Sequence, residues 1–309
     1  MSEPVRMPLH LDRIARLRDF LAAAQQLAAD YARGDPTWAG MPESKAAAES
    51  TDPAASPALL NELTGAYAFA QMRVQAVMEH AESIATLCAE GGPPGSLAID
   101  ALTRAAVETA ARARWVLEDG LSVAQRTSRF LVIEVHSAHH LDRLAQAMHM
   151  VPRDPLNVPT QMAAVRSRCR TAGLRVTMET TERPRVGDER LPSATDLVLA
   201  LVEDTPFAHE GKGVYELGSG VAHGASYALL RSYEIVTGDQ PSERRLVSRF
   251  PVDHRIVEGA IAMLLFAYIA VLKSLVQLTG WDPAGVTQFD NDLQSFLNAG
   301  PLVAEEAES

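Results

Sequence analysis

The run "GAIAMLLFAYIAVL", from Gly259 to Leu272, limits the fold more than any other stretch of the chain. It carries no charge for 14 residues before Lys273. A bilayer span takes about 20 apolar residues, so this run suits a buried helix better than a membrane crossing. A helix apolar on every side must be covered by neighbours. The longer pattern "DHRIVEGAIAMLLFAYIAVLKSLVQLTG" makes it the central helix of the core, with Gly280 as its stop.

Helical periodicity supplies the neighbours. Leu9 to Arg33 has apolar residues at helical spacing and stops near Gly34-Asp35-Pro36. Ala58 to Glu90 reads as a long helix ended by "GGPPG". Ser96 to Glu118 follows, with Ser96 as N-cap and Gly120 as stop, and Ser122 caps a helix reaching about Met150. A shorter helix is expected over Thr160 to Ala172, and Ser193 or Thr195 caps another through "DLVLALVE". "DPAGVTQFDNDLQSFLNAG" closes the fold. The expectation is an all-α multi-helix bundle with a small irregular or hairpin insertion near 174–190, where "LRVTMET" turns into "RPRVGD". The chain divides into an N-terminal helix (1–36), a flexible loop rich in Ala, Ser, Pro and Glu (37–57) and a bundle domain (58–300). That domain holds an insertion at about 151–192, and a frayed acidic tail follows (301–309).

A net charge of −11 argues against non-specific nucleic-acid binding over the whole surface, though not against a local basic patch. Cys88 and Cys169 are far apart and form no metal-type spacing. With no apolar leader in "MSEPVRMPLHLDRIARLRDF", the pattern predicts a reducing cytoplasm and no membrane partner.

Three groups of residues could carry chemistry. In "ALTRAAVETAARARWVLEDG", Arg104, Glu108 and Trp115 share one helical face with Arg112 at its edge. That is an ion pair or an anchored polar site beside a core Trp. In "RFLVIEVHSAHHLDR", His136 and His140 have the i, i+4 spacing that lets two imidazoles share a metal, with His139 beside them. Arg129 and Arg143 on the same face oppose a cation and favour an anion. Ser137 stands where a metalloprotease would need its Glu. No cofactor is predicted, and a divalent metal on these histidines is the alternative. The third group is "VYELGSGVAHGASYALLRSY", Val214 to Tyr233, read as a helix. Gly218, Ala222, Ala225 and Ser226 thin one face so that another helix can pass close by. Tyr215, Ser219, His223 and Tyr227 line the edge of that face. Each glycine costs up to about 1 kcal/mol of helix propensity, which a packing or site requirement would explain.

Four segments together carry a resemblance: "LTRAAVETAARARWVLE", "AQRTSRF", "RLPSATDLVLAL" and "VYELGSGVAHGASYALLR". They resemble an uncharacterised group of actinobacterial all-helical proteins, whose looser relatives look like the HEPN superfamily of helical bundles. The resemblance implies an all-helical bundle and assigns no reaction. HEPN ribonucleases use an Arg and a His on one helix. The best-matching helix here has Tyr215 and Ser219 before His223 and no Arg at the needed offset. Arg-x4–6-His spacings do occur elsewhere, at Arg73 and His80 and at Arg129 and His136 among others. In a chain this rich in Arg they arise by chance.

These readings predict a polar interhelical site for an anionic ligand such as RNA, a nucleotide or a small metabolite. His223, Glu108, Tyr215 and Ser219 are its catalytic candidates. Imidazole ordinarily titrates near neutrality, and a carboxylate can orient it or act as base. Arg104, Arg112, Trp115 and Arg129 are the ligand-binding candidates, because guanidinium pairs well with phosphate. The alternatives are a non-catalytic scaffold, with the small-residue faces forming a homodimer, and an enzyme using a metal on His136, His139 and His140.

Overall fold

Ser122 and Ser193 start their helices by the same device. The Ser122 hydroxyl accepts from the Gln125 amide at 3.2 Å while the Gln125 carboxamide accepts from the Ser122 amide at 3.0 Å. Ser193 and Asp196 repeat the exchange at 3.0 and 3.2 Å. Each pair satisfies donors that the first turn of a helix leaves open.

The computed structural model describes residues 8–34, 41–89, 96–148, 158–177, 184–203, 205, 212–213, 215–216, 233–236, 245–248 and 254–299. They form an all-α multi-helix bundle with a small β insertion. The helices are α1 (Pro8–Gly34), α2 (Lys45–Ser50), α3 (Pro57–Ala89), α4 (Ser96–Leu117), α5 (Val123–Ala147), α6 (Val158–Thr171), α7 (Ala194–Val202), α8 (His254–Thr279) and α9 (Ala284–Asn298). Helix α4 is the hub, packed against α3 on one side and α8 on another. Ala106, Ala110 and Ala113 of α4 are fully buried, and their small side chains let both neighbours approach. Helix α5 packs on α3 and α6, and α1 on α8 and α3.

Helix α8 is the core helix. Ile261, Leu265 and Leu272 are fully buried. The apolar window extends beyond the 14-residue run, over Val257–Thr279, 23 residues. It is long enough to cross a bilayer, so length alone does not separate the two readings. What places it in the core is that 78% of an apolar 18-residue stretch within it is buried inside the bundle.

The described residues differ from the sequence reading in three places. The described part of the segment expected to be a flexible loop, 41–56, contains α2, capped by Ser44, whose hydroxyl accepts from the Ala47 amide at 3.1 Å. The expected hairpin is a three-stranded antiparallel sheet of β1 (Val176–Thr177), β2 (Arg185–Val186) and β3 (Glu189–Arg190), in that order. Val176 faces Val186 across β1–β2, and Gly187, at φ 58°, turns β2 into β3. Fully buried Val186 belongs to the strand pair that docks the sheet on α5. A second hairpin, β4 (Tyr233–Val236) with β5 (Arg245–Ser248), pairs Tyr233 with Ser248 and Val236 with Arg245. Tyr233, expected at the end of a helix, opens a strand instead.

Candidate functional site

Arg104, Glu108 and Arg112 lie one turn apart along α4, so all three side chains reach the same side of the helix. Glu108 is the centre of the group. Arg104 Nε lies 2.9 Å from its Oε1, and Arg112 comes within 3.5 Å of its Oε2. Tyr215 arrives from far along the chain and donates its hydroxyl to Oε1 at 3.0 Å. The Arg104 guanidinium also stands 5.8 Å from the Tyr215 ring centre. Burial, and then the Glu108 charge, raise the Tyr215 phenol above its ordinary pKa, so the ring holds its proton and donates it.

The structure therefore brings together four of the predicted residues: Arg104, Glu108, Arg112 and Tyr215. Glu108 already receives two guanidiniums and a phenol. A carboxylate so occupied anchors its neighbours and is poorly placed to take a proton from a substrate. His223 and Ser219, the other catalytic candidates, lie outside the described residues, as do Gly218, Ala222, Ala225, Ser226 and Tyr227.

Trp115 and Arg129 form a separate group. Arg129 donates from Nη1 to the Trp115 carbonyl at 2.8 Å and from Nε to Glu189 at 3.1 Å. It also pairs with Glu118 and lies 5.0 Å from the Trp115 ring centre. Its donors are taken by the chain itself, and they fasten β3 to the end of α4.

The histidines of α5 meet a cationic neighbourhood. The His136 and His140 rings are 4.4 Å apart, centre to centre, and His139 is 6.5 Å from His140. Among the described residues no group of three His, Cys, Asp or Glu side chains converges as metal ligands. His136 and His140 instead line a cleft of about 360 Å³ between α3, α4 and α5, which they share with Arg73 and Arg112. A divalent cation there would face two guanidiniums, whereas an anion would be attracted by both.

Arg73, which the sequence offers only in a chance spacing with His80, is a further functional candidate. Its guanidinium lies 4.8 Å from the Phe69 ring centre. Among the described residues it makes no hydrogen bond and no ion pair. Burial, and then the positive charge of Arg112, push Arg73 below the ordinary guanidinium pKa, while Glu134 opposes them. The available signal was a single Arg among the apolar residues of "AYAFAQMRVQAV" in α3.

None of the family models, curated proteins or solved structures compared with the chain matches it. The residues of the cleft and of the Glu108 group are therefore the observations on which function rests.

A third polar group, also unforeseen, is structural. Arg126 of α5 is fully buried and binds both oxygens of Glu49, at 2.9 and 3.1 Å. It also donates to the Val116 carbonyl at 2.7 Å, and Tyr67 donates to Glu49 at 2.6 Å. Every strong donor and acceptor in this group has a partner, leaving nothing to recognise a ligand.

Proposed function

We propose that the chain binds a small anionic ligand, phosphate-bearing or carboxylate-bearing, in the cleft between α3, α4 and α5. The observation that carries the reading is Arg73, partly buried beside Arg112 with no carboxylate paired to it among the described residues. Two like charges held together raise each other's energy, and an anion between them removes that cost. His136 and His140 line the same cleft. Glu108 holds Arg112 from behind, and Tyr215 holds Glu108, so the cation is oriented before a ligand arrives. A volume of about 360 Å³ suits a small molecule. The net charge of −11 repels a long polyanion, so a nucleotide or metabolite fits this reading better than extended RNA.

Calorimetric titration with inorganic phosphate and with a nucleoside monophosphate at low salt tests the proposal. Binding is expected to weaken at least about tenfold in Arg73→Ala, in line with the loss of one charge-assisted contact. Anion binding that is absent, or unchanged in Arg73→Ala, would remove the cleft from consideration. Cleavage of a short single-stranded RNA, if it depended on His223, would replace this reading with a HEPN-like ribonuclease.

A further inference from the structure

We infer that the anion taken by this cleft is amphipathic: a phosphate or carboxylate group joined to an aliphatic body. The inference rests on the anion-binding reading above and adds the chemistry of the rest of the ligand. The cations occupy only part of the cleft. Apart from Ser137, the remaining wall is Ile133, Leu141 and Leu144 from α5 and Leu191, which follows β3. Ile133 and Leu191 are almost fully buried, at 2% and 5% exposure, and form the floor. Leu144 is 52% exposed at the rim, and Met148, just past the end of α5, is 61% exposed.

An inorganic phosphate would fill the cationic end and leave the leucine wall against water. An aliphatic chain attached to that phosphate would cover the wall and shield Leu144. Guanidinium heads beside an apolar wall recognise opposite ends of one molecule, as small-ligand pockets do with a few placed polar groups in a mostly apolar lining. Each buried methylene is expected to raise affinity by about three- to fourfold.

The test is a calorimetric series on the full chain, with each amphiphile kept below its micelle concentration. The probes are inorganic phosphate, butyl phosphate, octyl phosphate and neutral octyl glucoside. Octyl phosphate is expected to bind at least about a hundredfold more tightly than inorganic phosphate, with butyl phosphate between them and octyl glucoside not binding. Leu144→Ser, at an exposed position, is expected to weaken octyl phosphate about tenfold and leave inorganic phosphate unchanged. Arg73→Ala is expected to weaken both. Equal affinity for inorganic and octyl phosphate would overturn this inference and leave the anion site intact. No binding of any anion would overturn both. Octyl phosphate binding that neither substitution alters would place the amphiphile elsewhere and also overturn the inference. The same chemistry is found in free phosphate esters and in phosphatidic acid. Sedimentation with phosphatidylcholine vesicles containing phosphatidic acid distinguishes them. A pelleted chain released by octyl phosphate assigns the site to a lipid headgroup, and a chain left in solution assigns it to a soluble ester.

Discussion

Arg126 Nε donates to Glu49 Oε2 at 2.9 Å across 77 residues of sequence, with the arginine side chain fully buried. The pair stitches the short helix α2 to the start of α5. It also supplies donors to the carbonyls of Val116 and Glu118, just where α4 ends. One guanidinium thus joins three segments.

Removing one partner of such a pair leaves a buried charge uncompensated. Glu49→Ala is expected to cost about 3–5 kcal/mol in urea denaturation. Arg126→Ala is expected to cost more, because it orphans two carbonyls as well as the carboxylate. Tyr67→Phe removes a single hydrogen bond and is expected to cost about 1 kcal/mol. A loss below about 1 kcal/mol for Glu49→Ala would show that α2 is not held in this way.

Glu108 and Tyr215 are expected to separate positioning from binding. Glu108→Ala removes the carboxylate shared by Arg104 and Arg112 and is expected to cost about 2 kcal/mol of stability. It is also expected to weaken phosphate binding, although Glu108 is itself an anion, because Arg112 loses its support. Tyr215→Phe is expected to cost about 1 kcal/mol and change phosphate affinity by less than about threefold. Tighter phosphate binding in Glu108→Ala would mean that Glu108 competes with the ligand and does not hold the site.

The two thiols are both shielded, Cys169 more than Cys88. Burial pushes the Cys169 thiol up to about 11, and it raises the Cys88 thiol as well. Because the thiolate is the reactive form, iodoacetamide at pH 8 is expected to label Cys169 roughly a hundredfold more slowly in the native chain than in urea. Mass spectrometry of the labelled peptide measures this. The raised pKa also links stability to pH. The folded thiol keeps its proton where the unfolded one, at its ordinary pKa of 9.0, releases it. This contribution is whole below pH 9 and declines as pH rises toward 11. Over that window wild type is expected to lose roughly 2–3 kcal/mol more than Cys169→Ala, in which the titrating group is gone.

Gly280 and Gly120 offer a matched pair. Both have a positive φ, 70° and 78°, which an L side chain adopts at a cost. A Cβ on Gly280 would come within 3.2 Å of Ser44 Cβ, whereas one on Gly120 would meet nothing within 4 Å. Gly120→Ala is therefore expected to cost about 1 kcal/mol, from backbone strain alone. Gly280→Ala is expected to cost about 1 kcal/mol more, because it pushes on the turn that seats α2. Equal midpoints for the two variants in thermal unfolding would show that the Ser44 contact yields freely.

Helix positions were legible along the chain because their signals are local. Ser122 and Ser193 announce their helices through a partner three residues away, and Gly280 marks the end of α8. Arg104 and Glu108 were legible as a pair for the same reason, since one helical turn brings them together whatever surrounds them. Their link to Tyr215 was expected only as a grouping of polar residues between helices. The β4–β5 hairpin has local signals of its own, β-branched and aromatic "YEIV" and the turn residues of "TGDQPS", but the helical spacing before them runs on to Tyr233.

By itself, the sequence determined where most of the long helices lie, where they begin and stop, and which of their residues share a face. Those properties depend on backbone hydrogen bonding and on a fixed angle per residue. Only the tertiary structure decided which faces meet. It turned a segment of apparent loop composition into α2 by giving Glu49 a buried arginine, and it assigned Arg129 to Glu189 and Glu118. It also set Arg73 of α3 beside Arg112 of α4 and the histidines of α5. Charges on separate helices interact only when packing brings them together, and that packing is selected by the summed fit of many apolar side chains that no local pattern contains.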